Sequence, residues 1–230
     1  MNELSGAPEA VYGFPLSSGQ ERLWFLHQLE PELPVYNITS ALRLRGALDV
    51  PALADSLAEI VGRHEAFRTN FLEVEGTPVQ VVAPEGDFTL ITIDLSATPA
   101  ATREAEALRS AREFGTRPFD LGRDPLFRAA LLRLEEDEHL LVLAVHHIVS
   151  DGWTLGVVRR ELSALYAARV SGAPSPLTDP PLQYVEYTAW QGERLESGAL
   201  DGELAYWRER LAGMPPVLPL PSDRPRPAAQ

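Results

Sequence analysis

The sequence predicts an α+β protein, a mixed and partly antiparallel sheet covered by helices. Three observations lead there. Apolar and polar residues alternate over residues 38–45, as in a strand with one face buried. Leu53, Leu57, Ile60 and Val61 recur at helical spacing, as do Leu155, Val158, Leu162 and Leu165. Two adjacent strand-like runs, residues 126–134 and 139–146, are separated only by the charged turn Glu135-Glu136-Asp137-Glu138, a connection that suits an antiparallel pair.

The elements follow in order. Residues 1–15 are polar and carry two prolines, which reads as an extended lead-in. Ser17 or Ser18 caps a helix to about Leu29, with Leu23, Leu26 and Trp24 on its apolar side, and Glu30-Pro31 stops it. In the strand 38–45, Ile38, Ser40, Leu42 and Leu44 share one face and Thr39, Ala41, Arg43 and Arg45 the other. Gly46 breaks it. Asp49 caps a second helix with Pro51 in its first turn. Residues 68–74 and 79–82 form a hairpin around Glu75-Gly76-Thr77, and residues 88–95 a further strand. Ser96 with Pro99 opens a third helix to about Phe114. The strand pair comes next, then a fourth helix with Leu155, Val158, Leu162, Leu165 and Tyr166 along one stripe. A short helical stretch at 184–190 precedes a last helix at about 202–211. Residues 214–230 contain six prolines and read as an extended linker. The expected organisation is therefore a lead-in (1–15), one lobe (16–213) and a Pro-rich linker (214–230).

Composition narrows the function. Over 230 residues, 45% are apolar and 23% charged, ordinary for a soluble globular protein with an ample core. There is no cysteine, which excludes disulfides and thiolate metal sites. A formal charge of −13 argues against nucleic acid or an anionic membrane as partner. An acidic protein partner would need a local basic patch. The first residues lack the character of a signal peptide, and no apolar run is long enough to cross a bilayer, so a cytoplasmic location is expected.

The most informative segment is His146-His147-Ile148-Val149-Ser150-Asp151-Gly152-Trp153. Two histidines end the apolar run 140–145, which reads as a buried strand. Imidazole changes protonation near neutral pH, so a strand that delivers it to a turn can build a general base. Adjacent strand side chains point to opposite faces, so the two histidines cannot both serve one substrate or one metal ion. No third metal ligand is in sight. By itself, such a histidine is more often a packed core residue. Asp151, just before a helix, has the plain role of an N-cap. Gly152 lets backbone come close to a reacting centre.

This HHxxxDGW segment resembles the active-site motif of nonribosomal peptide synthetase condensation domains, and three further segments extend the resemblance. Ser17-Ser18-Gly19-Gln20-Glu21-Arg22-Leu23-Trp24-Phe25-Leu26 is similar to the family's SxAQxRLWxL, with Gly19 for Ala. Arg63-His64-Glu65-Ala66-Phe67-Arg68-Thr69-Asn70-Phe71 is similar to RHExLRTxF, with Phe67 for Leu. Gln183-Tyr184-Val185-Glu186-Tyr187-Thr188-Ala189-Trp190-Gln191 is similar to YxDYAxW, with Glu186 for Asp. Tyr206-Trp207-Arg208 and residues 218–225 resemble the family's exit from its first lobe. The motifs stand in the family's order and cover nearly the whole chain.

The resemblance implies a chloramphenicol acetyltransferase-like lobe, the amino-terminal one of a domain roughly twice this length; the later motifs have no counterpart here. It makes His147 the catalytic histidine and leaves His146 structural. It pairs Asp151 with Arg68 in a buried ion pair beside the active site, and offers the Gly152 amide to an oxyanion. It implies amide formation between a donor acyl or peptidyl thioester and the α-amine of an acceptor aminoacyl thioester. Both are presented as phosphopantetheine thioesters by peptidyl carrier proteins. No cofactor is bound and no metal is needed. Trp153-Thr154 and the first motif resemble the type that joins two L-configured residues. The missing carboxy-terminal lobe is itself an expected partner, and the face left for it is expected to be apolar and prone to self-association. Gln20, Arg22 and Trp24 read as faces of a surface helix, and Tyr184, Tyr187 and Trp190 as packing residues. His27, His64 and His139 lack catalytic context. Two other classes stay open: a carrier- or coenzyme A-dependent acyltransferase of the same superfamily, and a non-catalytic carrier-docking domain.

Overall fold

In the computed structural model, the residues described are 2–4, 11–84, 88–215, 221 and 223–224. The chain divides into two compact units, Met1–Gln191 and Gly192–Gln230. The first unit holds two four-stranded sheets where the sequence suggested one.

One sheet is built from β1 (Asn2–Leu4), β2 (Val11–Pro15), β4 (Thr69–Val74) and β5 (Thr77–Val82) in the order β1-β2-β5-β4, antiparallel throughout. The stretch read as a lead-in thus contributes strands. Gly13 makes this pairing close, since a Cβ there would lie 3.2 Å from that of Val79. The β4–β5 turn has only two residues, Glu75 and Gly76, both at positive φ (51° and 79°), the conformation that matches hairpin twist.

The other sheet has the order β3-β8-β7-β6, from β3 (Asn37–Arg45), β6 (Ile91–Asp94), β7 (Phe127–Arg133) and β8 (Glu138–His146). Only β6–β7 is parallel. β8 lies between β3 and β7, and every residue from His139 to His146 is buried. Its run is continuously apolar because helices cover both faces. On one side, Leu141, Leu143 and Val145 share a core with α2 (Val50–Arg63) and α4 (Thr154–Ser171), through Leu53, Leu57, Ile60, Val158, Leu162 and Leu165. On the other, Leu140 and Val142 meet Ala107 and Ala111 of α3 (Ala100–Thr116). Small residues let α3 approach closely: a Cβ on Gly115 would stand 2.7 Å from Thr39 Oγ1 and Cγ2.

Capping follows the sequence chemistry. α1 (Ser18–Leu29) starts with a capping box, in which the Ser17 hydroxyl accepts from the Gln20 amide and the Gln20 side chain accepts from the Ser17 amide. Asp49 caps α2 by accepting from the Ala52 amide. α5 (Tyr184–Glu196) runs across the boundary between the units, and α6 (Asp201–Arg210) lies in the second with no buried residue. Most of the Pro-rich segment lies outside the described residues. No helix among them is long and apolar enough to cross a membrane.

Candidate active site

β8 ends at His146, and the chain turns through one 3₁₀ turn, His147–Val149. Strand geometry and the turn send the two rings into different surroundings. His146 is 3% exposed. Its Nδ1 accepts from the Ile148 amide at 3.1 Å, so the ring proton sits on Nε2. The rings of His27, Tyr36 and Phe119 surround it at 6.0–6.4 Å. Burial, then the nearby His27 and His147, push its pKa down from 6.5 to about 4. It stays neutral at physiological pH, with its acceptor nitrogen already used.

His147 is exposed. Its Nδ1 lies 2.6 Å from the Ser150 carbonyl oxygen. A carbonyl only accepts, so Nδ1 carries the proton and Nε2 is left as the basic nitrogen of an exposed ring. The turn holds itself together: the Ser150 amide donates to the His147 carbonyl, and the Ser150 hydroxyl to the His146 carbonyl.

Asp151 bonds to the start of α4 without being its N-cap, a position that Trp153 holds with no side-chain cap bond. Asp151 Oδ1 accepts from the Trp153 and Thr154 amides and the Thr154 hydroxyl, all within 3.0 Å, at the N-terminus of α4. Burial alone would raise its pKa; the bonds from Thr154 and Trp153, with His147 nearby, bring it below the ordinary value. The expected ion pair with Arg68 is not formed. Arg68 sits at the end of the 3₁₀ turn Glu65–Arg68, where Nη1 donates to the Ala83 carbonyl and Nη2 lies 3.5 Å from Glu65. The carboxylate bonds to the start of its own helix and the guanidinium sits beside the end of β5, where Arg68 Nε is buried without a hydrogen-bond partner. A Cβ on Gly152 would meet nothing within 4 Å, so packing does not require glycine there.

Gln20 also departs from expectation. It is 3% exposed, not on a surface face, and belongs to a polar chain invisible to local pattern. Gln80 on β5 (1% exposed) and Thr188 on α5 (2%) complete it. Of the first-motif residues, Arg22 is exposed and Trp24 half-buried. Tyr184 is more than packing: its hydroxyl lies 3.0 Å from the Ser17 hydroxyl. His64, on the α2 side, bonds Glu161 of α4 at 2.8 Å.

A cleft of about 190 Å³ opens at the turn, lined by His147, Ser150, Asp151, Thr154 and Tyr184. A larger, mainly apolar cleft of about 450 Å³ shares Val149, Thr154 and Tyr184 with it and continues past Phe67, Val157 and Leu182. Among the described residues no group of three or more His, Asp or Glu could hold a metal ion. The site offers one exposed, tautomerically fixed imidazole beside an apolar recess. Such a group can take or orient a proton.

Known proteins resemble this chain in sequence and in fold. A family model described as "Condensation domain" matches residues 12–230. A linear gramicidin synthase from Brevibacillus parabrevis is 48% identical over 94% of this chain and 3% of its own length. Phosphinothricin tripeptide synthetase PhsC of Streptomyces viridochromogenes is 46% identical over 93% of this chain and 20% of its own. Among solved structures, the complex of the X-domain and OxyB from teicoplanin biosynthesis contains a chain that superposes with a TM-score of 0.80 at 33% identity, over 98% of this chain and 48% of that one. The first condensation domain of the calcium-dependent antibiotic synthetase, in complex with a substrate analogue, gives 0.78 at 28%, over 89% and 48%. The chain thus spans about half of these solved chains and a small part of these synthetases.

Proposed function

The chain belongs to the condensation-domain family, and from that premise we propose that it is the amino-terminal, histidine-bearing half of a domain that forms an amide bond between carrier-bound substrates. The observation that carries this is the state of His147: Nδ1–H is held on the Ser150 carbonyl, which leaves Nε2 as a base on an exposed ring.

The α-amine of the acceptor aminoacyl thioester attacks the carbonyl carbon of the donor thioester, forming the C–N bond. An α-amine has a pKa near 7.7–8.0, so a useful fraction is already neutral near pH 7.5. Nitrogen becomes acidic as the bond forms, and Nε2 of His147 takes its proton. The Gly152 amide is the candidate donor to the oxyanion. Collapse of the tetrahedral species breaks the C–S bond, and the departing phosphopantetheine thiolate takes the proton back. Thioester cleavage supplies the driving force, so neither nucleotide nor metal enters the balance. The partners are a donor and an acceptor peptidyl carrier protein, and a second lobe completes the channel between them. The residues joined are both L-configured, a reading that rests on Trp153-Thr154 after the motif.

The test uses a domain in which this chain is joined to a second lobe, assayed with loaded donor and acceptor carriers. His147→Ala is expected to lower condensation about 10²–10⁴-fold without loss of fold. Product at the unsubstituted rate would remove His147 from the chemistry. The 230-residue chain assayed alone is expected to form no product, because half a channel cannot orient two substrates. A rate near that of the joined domain would overturn the half-domain reading.

A further inference from the structure

The turn that presents His147 is held from below by two buried glutamines. Gln20 Nε2 donates to Gln80 Oε1 at 3.3 Å and to the Ile148 carbonyl at 3.5 Å. Its Oε1 accepts from the Ser17 amide at 2.9 Å. Gln80 Nε2 donates to the Pro15 carbonyl at 2.8 Å and the Thr188 hydroxyl at 3.1 Å, and that hydroxyl donates to the Val185 carbonyl. Both amide groups thus place both of their N–H bonds and their carbonyl oxygen. Glutamine is rarely buried this completely, and a desolvated amide persists only where its partners are all present.

What the network reaches decides its meaning. Its anchors are the β2 end at Pro15, the start of α1 and the first turn of α5. Its outlet is Ile148 O, the carbonyl one residue beyond His147. Three other polar groups of the turn bond within it: the Ile148 amide to His146, the Ser150 amide to His147, and the Ser150 hydroxyl to His146. The Ile148 carbonyl instead bonds outward, to a side chain fixed by three other elements. A core that needed only filling would place a leucine at either position. The network ties segments of three motifs, residues 17–26, 183–191 and 146–153, through one residue outside all of them, Gln80.

We propose that Gln20 and Gln80 are positioning residues for His147: the clasp on Ile148 O sets the height and tilt of the 3₁₀ turn, and so where Nε2 meets the amine. This rests on the reading of His147 as the proton acceptor.

The experiment compares Gln20→Met, Gln20→Glu and Gln80→Met with Asp49→Ala in the joined two-lobe domain. Met removes both donors at similar volume. Glu keeps the acceptor for the Ser17 amide and removes the donors, which provides a near-isosteric variant should Met fail to fold. Asp49→Ala loses the α2 cap, far from the turn, and serves as the stability control. Unfolding midpoints, kcat, KM for each loaded carrier, and the ¹⁵N resonances of the His147 ring are measured. The clasp variants are expected to lose on the order of 10–10²-fold in kcat, as for a group displaced by about an ångström, with KM unchanged and the His147 resonances shifted. The control is expected to lose stability and keep kcat. Unshifted resonances with an unchanged kcat in a folded clasp variant would overturn the proposal. So would the same fold-loss recurring in a His147→Ala background, since the glutamines would then act through something else. If His147→Ala alone kept the full rate, the proton-acceptor reading would fall, while the resonances would still report whether the clasp sets the turn.

Discussion

Acidification should destabilise this protein through His146 before it touches most carboxylates. The ring is 3% exposed, its Nδ1 accepts from the Ile148 amide, and two other histidines lie close. Its pKa falls from 6.5 in the unfolded chain to about 4 in the fold. The unfolded state therefore binds more protons between these values, and stability rises with pH across that window. The contribution is full above about pH 6.5 and is lost as pH falls through 4. At ~1.4 kcal/mol per pH unit it amounts to about 3 kcal/mol, of which about 2 kcal/mol is gone by pH 5. Protonation also removes the acceptor that the Ile148 amide uses, so the turn beneath His147 loosens with it. The assay is urea unfolding at pH 7.5 and pH 5, comparing the parent with His146→Asn, whose side-chain oxygen replaces the acceptor and does not titrate. The parent should lose about 2 kcal/mol more than the variant between the two conditions. Equal losses, or a His146 ring that titrates near 6.5 by NMR, would refute the reasoning.

Two further outcomes follow from contacts. Asp151→Ala removes the hydrogen bonds its carboxylate accepts from Trp153 and Thr154 at the start of α4 and should cost about 0.5–1.5 kcal/mol; combined with Arg68→Ala in a double-mutant cycle, the coupling should stay below about 0.5 kcal/mol, because the two side chains share no contact. A coupling of several kcal/mol would restore the ion pair that the sequence resemblance implied. Gly115→Ala forces a methyl against Thr39 and should destabilise by about 1–3 kcal/mol, with part of the loss recovered by adding Thr39→Ala; a variant melting like the parent would show that α3 can retreat freely from β3.

What could be read from the sequence was local. β3 shows its alternation, with Ile38, Ser40, Leu42 and Leu44 half-buried and Thr39, Ala41, Arg43 and Arg45 exposed, because one face alone meets the main core. The α2 and α4 stripes were legible for the same reason. The division into two sheets was not. Pairing of β2 with β5 joins residues some 65 positions apart, and nothing in residues 11–15 themselves selects that partner. Gln20 illustrates the same limit at the site. A half-legible signal existed, since Ser17-x-x-Gln20 is a capping box, but that pattern accounts for one carbonyl oxygen and leaves the amide's donors unassigned. Their use depends on Gln80 and Ile148, 60 and 128 residues away.

The histidine pair shows how local rules and long-range packing divide the work. Alternation along a strand required only that the two rings part company. Which one became the buried, neutral acceptor was decided by β3 and the surrounding rings: Asn37 pairs in register with His146, and Tyr36, His27 and Phe119 close around it. With no strand beyond position 146 to continue the ladder, the chain must bend there, and the bend brings the Ser150 carbonyl to His147 Nδ1. The same event that ends β8 therefore fixes the tautomer that leaves Nε2 basic. An insertion between His147 and Ser150 should break that link even where the strand and both histidines survive, which makes the three-residue spacing, and not the histidine pair alone, the physical content of the motif.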